Sequence, residues 1–82
     1  MIIIDLNTLF VKTAKLSKRD TYIQKINKLA RNEREVVLTG AAPVWLYLIA
    51  CHTLHGKVRK LVYKSPVTGD VEIFDHNPFE EE

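Results

Sequence analysis

Residues 36–64 read VVLTGAAPVWLYLIACHTLHGKVRKLVYK, and the order of residue types in this stretch decides the fold. Val36, Val37 and Leu38 are a short apolar run suited to a strand, and Thr39 to Ala42 are small enough for a tight turn. Pro43 suits the first position of a helix, because its missing N–H would have had no intrahelical partner. The helix expected over 43–55 is apolar nearly all round, with Val44, Trp45, Leu46, Tyr47, Leu48, Ile49, Cys51 and Leu54. Gly56 stands where a helix C-cap glycine belongs, and Val58 to Lys64 alternates enough to be the next strand.

On the N-terminal side, Met1 to Leu6 opens with Ile2, Ile3 and Ile4, a β-branched run that reads as a buried strand. Leu9 to Thr13 reads as a second, weaker strand. Ser17 followed by Asp20 resembles a capping box, and Ile23, Ile26, Leu29 and Ala30 recur at helical spacing through about residue 31. Asn32, Glu33 and Arg34 make a polar break. On the C-terminal side, Pro66 to Asp70 is a turn by composition that folds the chain back into a last strand, Val71 to Phe74, pairing as a hairpin with 58–64. The sum is one α/β domain over residues 1–82, a small two-layer sandwich with a four- or five-stranded mixed sheet, two helices and an acidic tail at 79–82.

A chain this short buries only roughly 60% of the surface its unfolded form exposes. One sheet face cannot cover a helix that is apolar all round, so a second copy related by a two-fold axis is the simplest cover for its other side. Twelve basic and ten acidic residues give a formal charge of +2, too little for a dedicated binder of duplex DNA. The distribution is uneven: without Glu80, Glu81 and Glu82, twelve basic residues face seven acidic ones, which favours a small anionic ligand as readily as an idle solvated surface. Cys51 has no second cysteine to pair with and is read as part of the core of a protein from a reducing, cytoplasmic compartment. The longest apolar run, Val44 to Cys51, is too short to span a bilayer, so no membrane partner is expected.

The chemistry-bearing residues concentrate around the central helix. Backbone N–H groups of Gly40, Ala41 and Ala42 before a helix start suit a phosphate, although the same turn also serves as a plain tight connection. His52 and His55, three apart, share one face of the last turn, and His76 ends the last strand beside Asp75. Two or three imidazoles and a carboxylate gathered there could hold a divalent metal or act as general acid and base on a phosphodiester; a histidine pair that simply terminates a helix favourably is the plainer account. Trp45 and Tyr47 divide between core or dimer contact and base stacking. Lys57, Arg59, Lys60 and Lys64 form a dense basic cluster, read either as lysine protection of an edge strand or as phosphate ligands, with Lys60 and Lys64 on one face and Arg59 opposite.

Gly40, Pro43, Trp45-Leu46-Tyr47, His52, His55, the hydrophobic strand Val58 to Tyr63 and the final His76 together resemble the small CRISPR-associated ring nucleases of the Csx3 family, met in type III CRISPR systems. The resemblance runs from about Val36 to His76. Where that family carries arginine after the turn glycine this chain has Ala41, and where it carries Asp-Pro-Arg after the third strand this chain reads Lys64-Ser65-Pro66-Val67. The resemblance implies a homodimer that binds cyclic tetra-adenylate, or a related cyclic oligoadenylate, across its two-fold surface and cleaves it, switching the antiviral response off. It implies catalytic or manganese-binding roles for His52, His55 and His76, and a ligand cradle at Thr39, Gly40, Ala41, Ala42 and Pro43, with Trp45 and Lys64 alongside. Three alternatives remain open: a metal-free reaction in which the RNA's own ribose hydroxyl attacks, a protein that sequesters the messenger without cutting it, and a plain assembly subunit that keeps the fold and the dimer but has no ligand.

Overall fold

The computed structural model describes residues 1–76, in the order β1 (Ile2–Asp5), α1 (Arg19–Leu29), β2 (Glu35–Thr39), α2 (Val44–Leu54), β3 (Lys60–Ser65) and β4 (Gly69–Asp75). Two short 3-10 turns, Leu6–Leu9 and Leu16–Lys18, lie between β1 and α1. The acidic tail and the Asn77–Pro78 pair fall outside the described residues.

The four strands make one mixed sheet in the order β1-β2-β3-β4. β1, β2 and β3 are parallel, and β4 returns antiparallel on β3 as the expected hairpin. Each parallel step is made through a helix, and two right-handed crossovers stepping the same way put both helices on one face of the sheet. The core forms between them: Ile4, Val36, Leu38 and Leu61 from the sheet meet Tyr22 and Ile26 of α1 and Leu46, Ala50 and Leu54 of α2. The single helical layer also explains why β1 is buried on one side only, with Ile4 1% exposed and Ile3 53% exposed, where continuous isoleucines suggested burial throughout. Across the other face Ile3, Val37 and Val62 stand in register as an uncovered apolar row.

Several local expectations fail for identifiable reasons. There is no strand at Leu9–Thr13. Asp5 caps the 3-10 turn instead, its Oδ1 accepting from the Asn7 amide at 2.9 Å, and Lys12 adopts a left-handed φ of 65° that ends any extended run. The segment is then tied to α1 by the Lys15 amide, which donates to the Tyr22 hydroxyl at 3.0 Å. Ser17 caps nothing, because the second 3-10 turn absorbs it and α1 starts after Lys18 without a side-chain cap. α1 ends at Leu29, and Asn32 turns the chain at φ 65°. Pro43 is the N-cap of α2 rather than its first residue. β3 is an inner strand, so its lysines protect no edge, and Arg59 precedes the strand.

α2 covers β2 and β3 but leaves a flank bare, with Val44 74% and Leu48 64% exposed. An apolar groove of about 270 Å³ lies beside it, lined by these residues with Leu38, Cys51, Tyr63 and Ile73. Burial pushes the Cys51 thiol up from its usual range, so it remains a protonated, core-edge group.

Candidate functional site

α2 runs antiparallel to the strands, and its two ends carry two different groups of residues. At its N-terminal end β2 delivers Thr39 into a turn built around Gly40, whose φ of +104° suits glycine and no other residue. A Cβ there would run into the Asp5 carboxylate, so the end of β1 interlocks with the turn. The Tyr47 hydroxyl donates to the Gly40 carbonyl at 2.6 Å, and its ring packs edge-on against Tyr63 at 5.0 Å. Burial first, then the neighbouring Tyr63 and Asp5, pushes the Tyr47 phenol up to about 12, so it keeps the proton this bond needs.

A cleft of about 540 Å³ opens beside this turn, lined by Thr39, Gly40, Ala41 and Ala42 on one side and by Tyr63, Lys64, Ser65 and Pro66 on the other. It lies outside the carboxyl ends of the parallel strands, the position where open α/β sheets bind ligands. Lys64 is exposed and forms no ion pair among the described residues, whereas Lys60 and Arg59 are both engaged. Ser65 Oγ accepts from the amides of Val67 and Thr68 at 3.1 and 3.2 Å and shapes the cleft's outer wall. Pro43 and Trp45 line an adjoining hollow that shares Ala41 and Ala42 with the cleft. The expected cradle residues are thus brought together. Sequence reading missed Tyr63, Ser65 and Pro66 as wall residues; the signal was the crossover from β2 to β3, which sets Leu38 beside Tyr63.

The histidines lie at the other end. Eleven residues of α2 separate the Gly40 turn from His55, about 16 Å at 1.5 Å per residue. His55 is the C-cap, and Gly56 at φ 87° turns the chain into β3. The His76 amide donates to the Arg59 carbonyl at 2.7 Å, which carries β4 far enough for the His76 ring to reach His55. Their Nε2 atoms are 3.1 Å apart. Phe74 supports both rings, stacked on His76 at 4.8 Å and edge-on to His55 at 5.2 Å. His52 is exposed one turn earlier on α2 and joins none of these contacts. The carboxylate of Asp75 is engaged by Arg59, Oδ1 to Nε at 3.6 Å, and that guanidinium also faces Glu35 at 3.8 Å. Two imidazoles therefore gather there without the carboxylate. Among the described residues no group of three or more His, Cys, Asp or Glu side chains is placed to hold a metal ion.

A bond between two Nε2 atoms forms when one ring carries a proton there and the other a lone pair, so the pair offers a general acid and a general base side by side. A family model described as CRISPR-associated protein (Cas_csx3) matches residues 13–81. The chain belongs to the Csx3 family. The match extends well before Val36, taking in α1 as well as the β2–α2–β3 unit that carries the resemblance. No curated protein and no solved structure matches this Csx3 chain. Among the described residues no helix is long and apolar enough to cross a membrane.

Proposed function

We propose that this Csx3 chain is a ring nuclease that binds cyclic oligoadenylate, cyclic tetra-adenylate first among them, in the cleft beside Gly40 and cleaves it with His55 and His76, switching off type III antiviral signalling. The observation that carries the reading is the cleft itself. A small-residue turn at a helix start and the exposed Lys64, without an ion pair among the described residues, converge on a space of about 540 Å³, which suits a ligand made of phosphates and bases. Lysine holds phosphate as a point charge here, in place of the two-pronged grip of an arginine.

Cleft and histidines lie about 16 Å apart in one chain, so a ring held in the cleft is cut by histidines of another copy. A second copy set against the bare α2 flank by a two-fold axis along the strands leaves both clefts on one surface and both histidine pairs on the opposite one. Dimers stacked head to tail then bring the pair of one onto the ligand of the next.

The reaction needs no nucleophile from the protein. One imidazole takes the proton of a ribose 2′-hydroxyl, the freed oxygen attacks the adjacent phosphorus in line, and the bond from phosphorus to the 5′-oxygen breaks as the other imidazole gives that oxygen a proton. The ring opens to a linear chain ending in a 2′,3′-cyclic phosphate and a 5′-hydroxyl. Manganese fits the described residues only in part: His55 and His76 are two donors, where dedicated sites commonly use three or four side chains, so every step is assigned to the chain's own groups.

The test is incubation with radiolabelled cyclic tetra-adenylate, with and without manganese, comparing wild type with His55→Ala and His76→Ala. Linear product from wild type and none from the variants supports the proposal; an intact ring in every condition with no binding ends it. The distance between cleft and histidines also favours a second reading, a protein that sequesters the ring without cutting it. Tight binding with no linear product over hours would select that one.

A further inference from the structure

The pairing of β4 with β3 slips by one residue part-way along the hairpin. Val71 stands opposite Tyr63 and Glu72 opposite Val62, but Phe74 stands opposite Leu61 and Asp75 opposite Lys60, so Ile73 is an extra residue, a β-bulge. The bulge decides what the end of the strand can do. Partners across a ladder share a face and side chains alternate along it, so Phe74 follows Leu61 onto the helical side, and His76 follows Phe74. Without the bulge Ile73 would stand opposite Leu61, and Phe74 and His76 would turn to the bare face, away from His55. Apolar patterning does not choose between the two arrangements. Val71, Glu72 and Ile73 alternate as the unbulged strand requires, and an isoleucine opposite Leu61 is as apolar as a phenylalanine.

The choice is made on the other face. Glu35, Lys60 and Asp75 are in register across β2, β3 and β4, and the Arg59 guanidinium faces both carboxylates, Nε at 3.6 Å from Asp75 Oδ1 and Nη2 at 3.8 Å from Glu35 Oε1. Arg59 Nε and Asp75 Oδ1 are each shut off from solvent and make no hydrogen bond among the described residues, so each depends on the opposite charge beside it. Sliding to the unbulged register would carry Asp75 to the helical side, leave the guanidinium with Glu35, and break the bond from the His76 amide to the Arg59 carbonyl. We propose that Arg59 and Asp75 are positioning residues: their ion pair holds β4 in the bulged register and thereby keeps the His76 imidazole against His55. The placement stands on this geometry, and only its consequence for rate rests on the proposed cleavage.

The test combines nuclear magnetic resonance with single-turnover cleavage of cyclic tetra-adenylate. Wild type should show an Overhauser effect between the carbon-bound ring protons of His55 and His76, and slow exchange of the His76 amide. Asp75→Asn should lose both and open the ring roughly tenfold or more slowly, with ligand affinity unchanged. That variant leaves the shielded Nε of Arg59 without its counter-charge, so it is paired with Arg59→Ala/Asp75→Ala, which removes both charges and should fold with the same losses. Glu72→Gln breaks the pair with Lys60 on the same strand, before the bulge, and controls for a general weakening of the hairpin; it should match wild type in every readout. A missing ring contact in wild type, a contact and a protected amide that survive in Arg59→Ala/Asp75→Ala, or an equal loss in Glu72→Gln would overturn the inference. A wild type with the expected resonance pattern that never opens the ring would overturn the ring-nuclease reading and leave the positioning role standing.

Discussion

His55 and His76 meet Nε2 to Nε2 at 3.1 Å, although one closes a helix and the other directly follows the last strand. Removing either imidazole leaves the other without its complement. His55→Ala and His76→Ala should each slow ring opening by roughly 10²–10⁴-fold, and the double variant should be little worse than either single one. His52→Ala, one turn away and outside the pair, should leave the order of magnitude unchanged. Single-turnover product formation with saturating enzyme reads all four.

Phe74 holds this pair without any chemistry of its own, stacked on one ring and edge-on to the other. Phe74→Leu keeps the apolar bulk and removes the platform. The expected outcome is slower cleavage with ligand affinity unchanged, and recovery in Phe74→Tyr. A loss of affinity in step with the rate would show that Phe74 supports the fold alone.

Gly40 is the position where the backbone tolerates least. A left-handed conformation costs an ordinary residue roughly 1–2 kcal/mol, and here the new Cβ also meets the Asp5 carboxylate. Gly40→Ala should lower stability by at least about 2 kcal/mol in urea denaturation, and adding Asp5→Ala should return the steric part. Equal losses in the single and double variants would place the cost in the backbone alone.

Alkaline conditions should weaken the same corner. The Tyr47 phenol is raised in the folded protein from 10.0 to about 12, so between those values the unfolded chain has released its proton while the folded one retains it. Stability from this group is therefore full below about pH 10 and falls as pH rises toward about 12. Tyr47→Phe removes the bond to Gly40 at a cost of about 1 kcal/mol near neutrality, and its deficit against wild type should shrink across that window in urea melts.

Much of the architecture was legible because periodicity and punctuation agreed along 36–64. The apolar run of β2, the glycine turn, the apolar helix and the alternation of β3 each point to the element found there. The segment from Leu6 to Lys18 was not legible: its shape depends on Asp5 capping a turn and on Tyr22, seven residues beyond Lys15, receiving an amide, and neither leaves a period in the sequence. The site divides in the same way. Gly40 to Ala42 announce themselves locally as a cradle, whereas the choice of His55 over His52 depends on where β4 ends, which is set by the His76 amide bonding to Arg59. Asp75 looked available beside His76 because the guanidinium that engages it comes from the other side of the hairpin.

The central claim, that cleft and histidines serve the same reaction from different copies of the chain, is tested most directly by mixing two inactive variants. Lys64→Glu damages the cleft and keeps the histidines, and His55→Ala does the reverse. Combined after separate purification and supplied with cyclic tetra-adenylate, they should regain ring-opening activity that neither has alone. A mixture as inactive as its parts, with ligand still bound by the His55→Ala protein, would contradict the account.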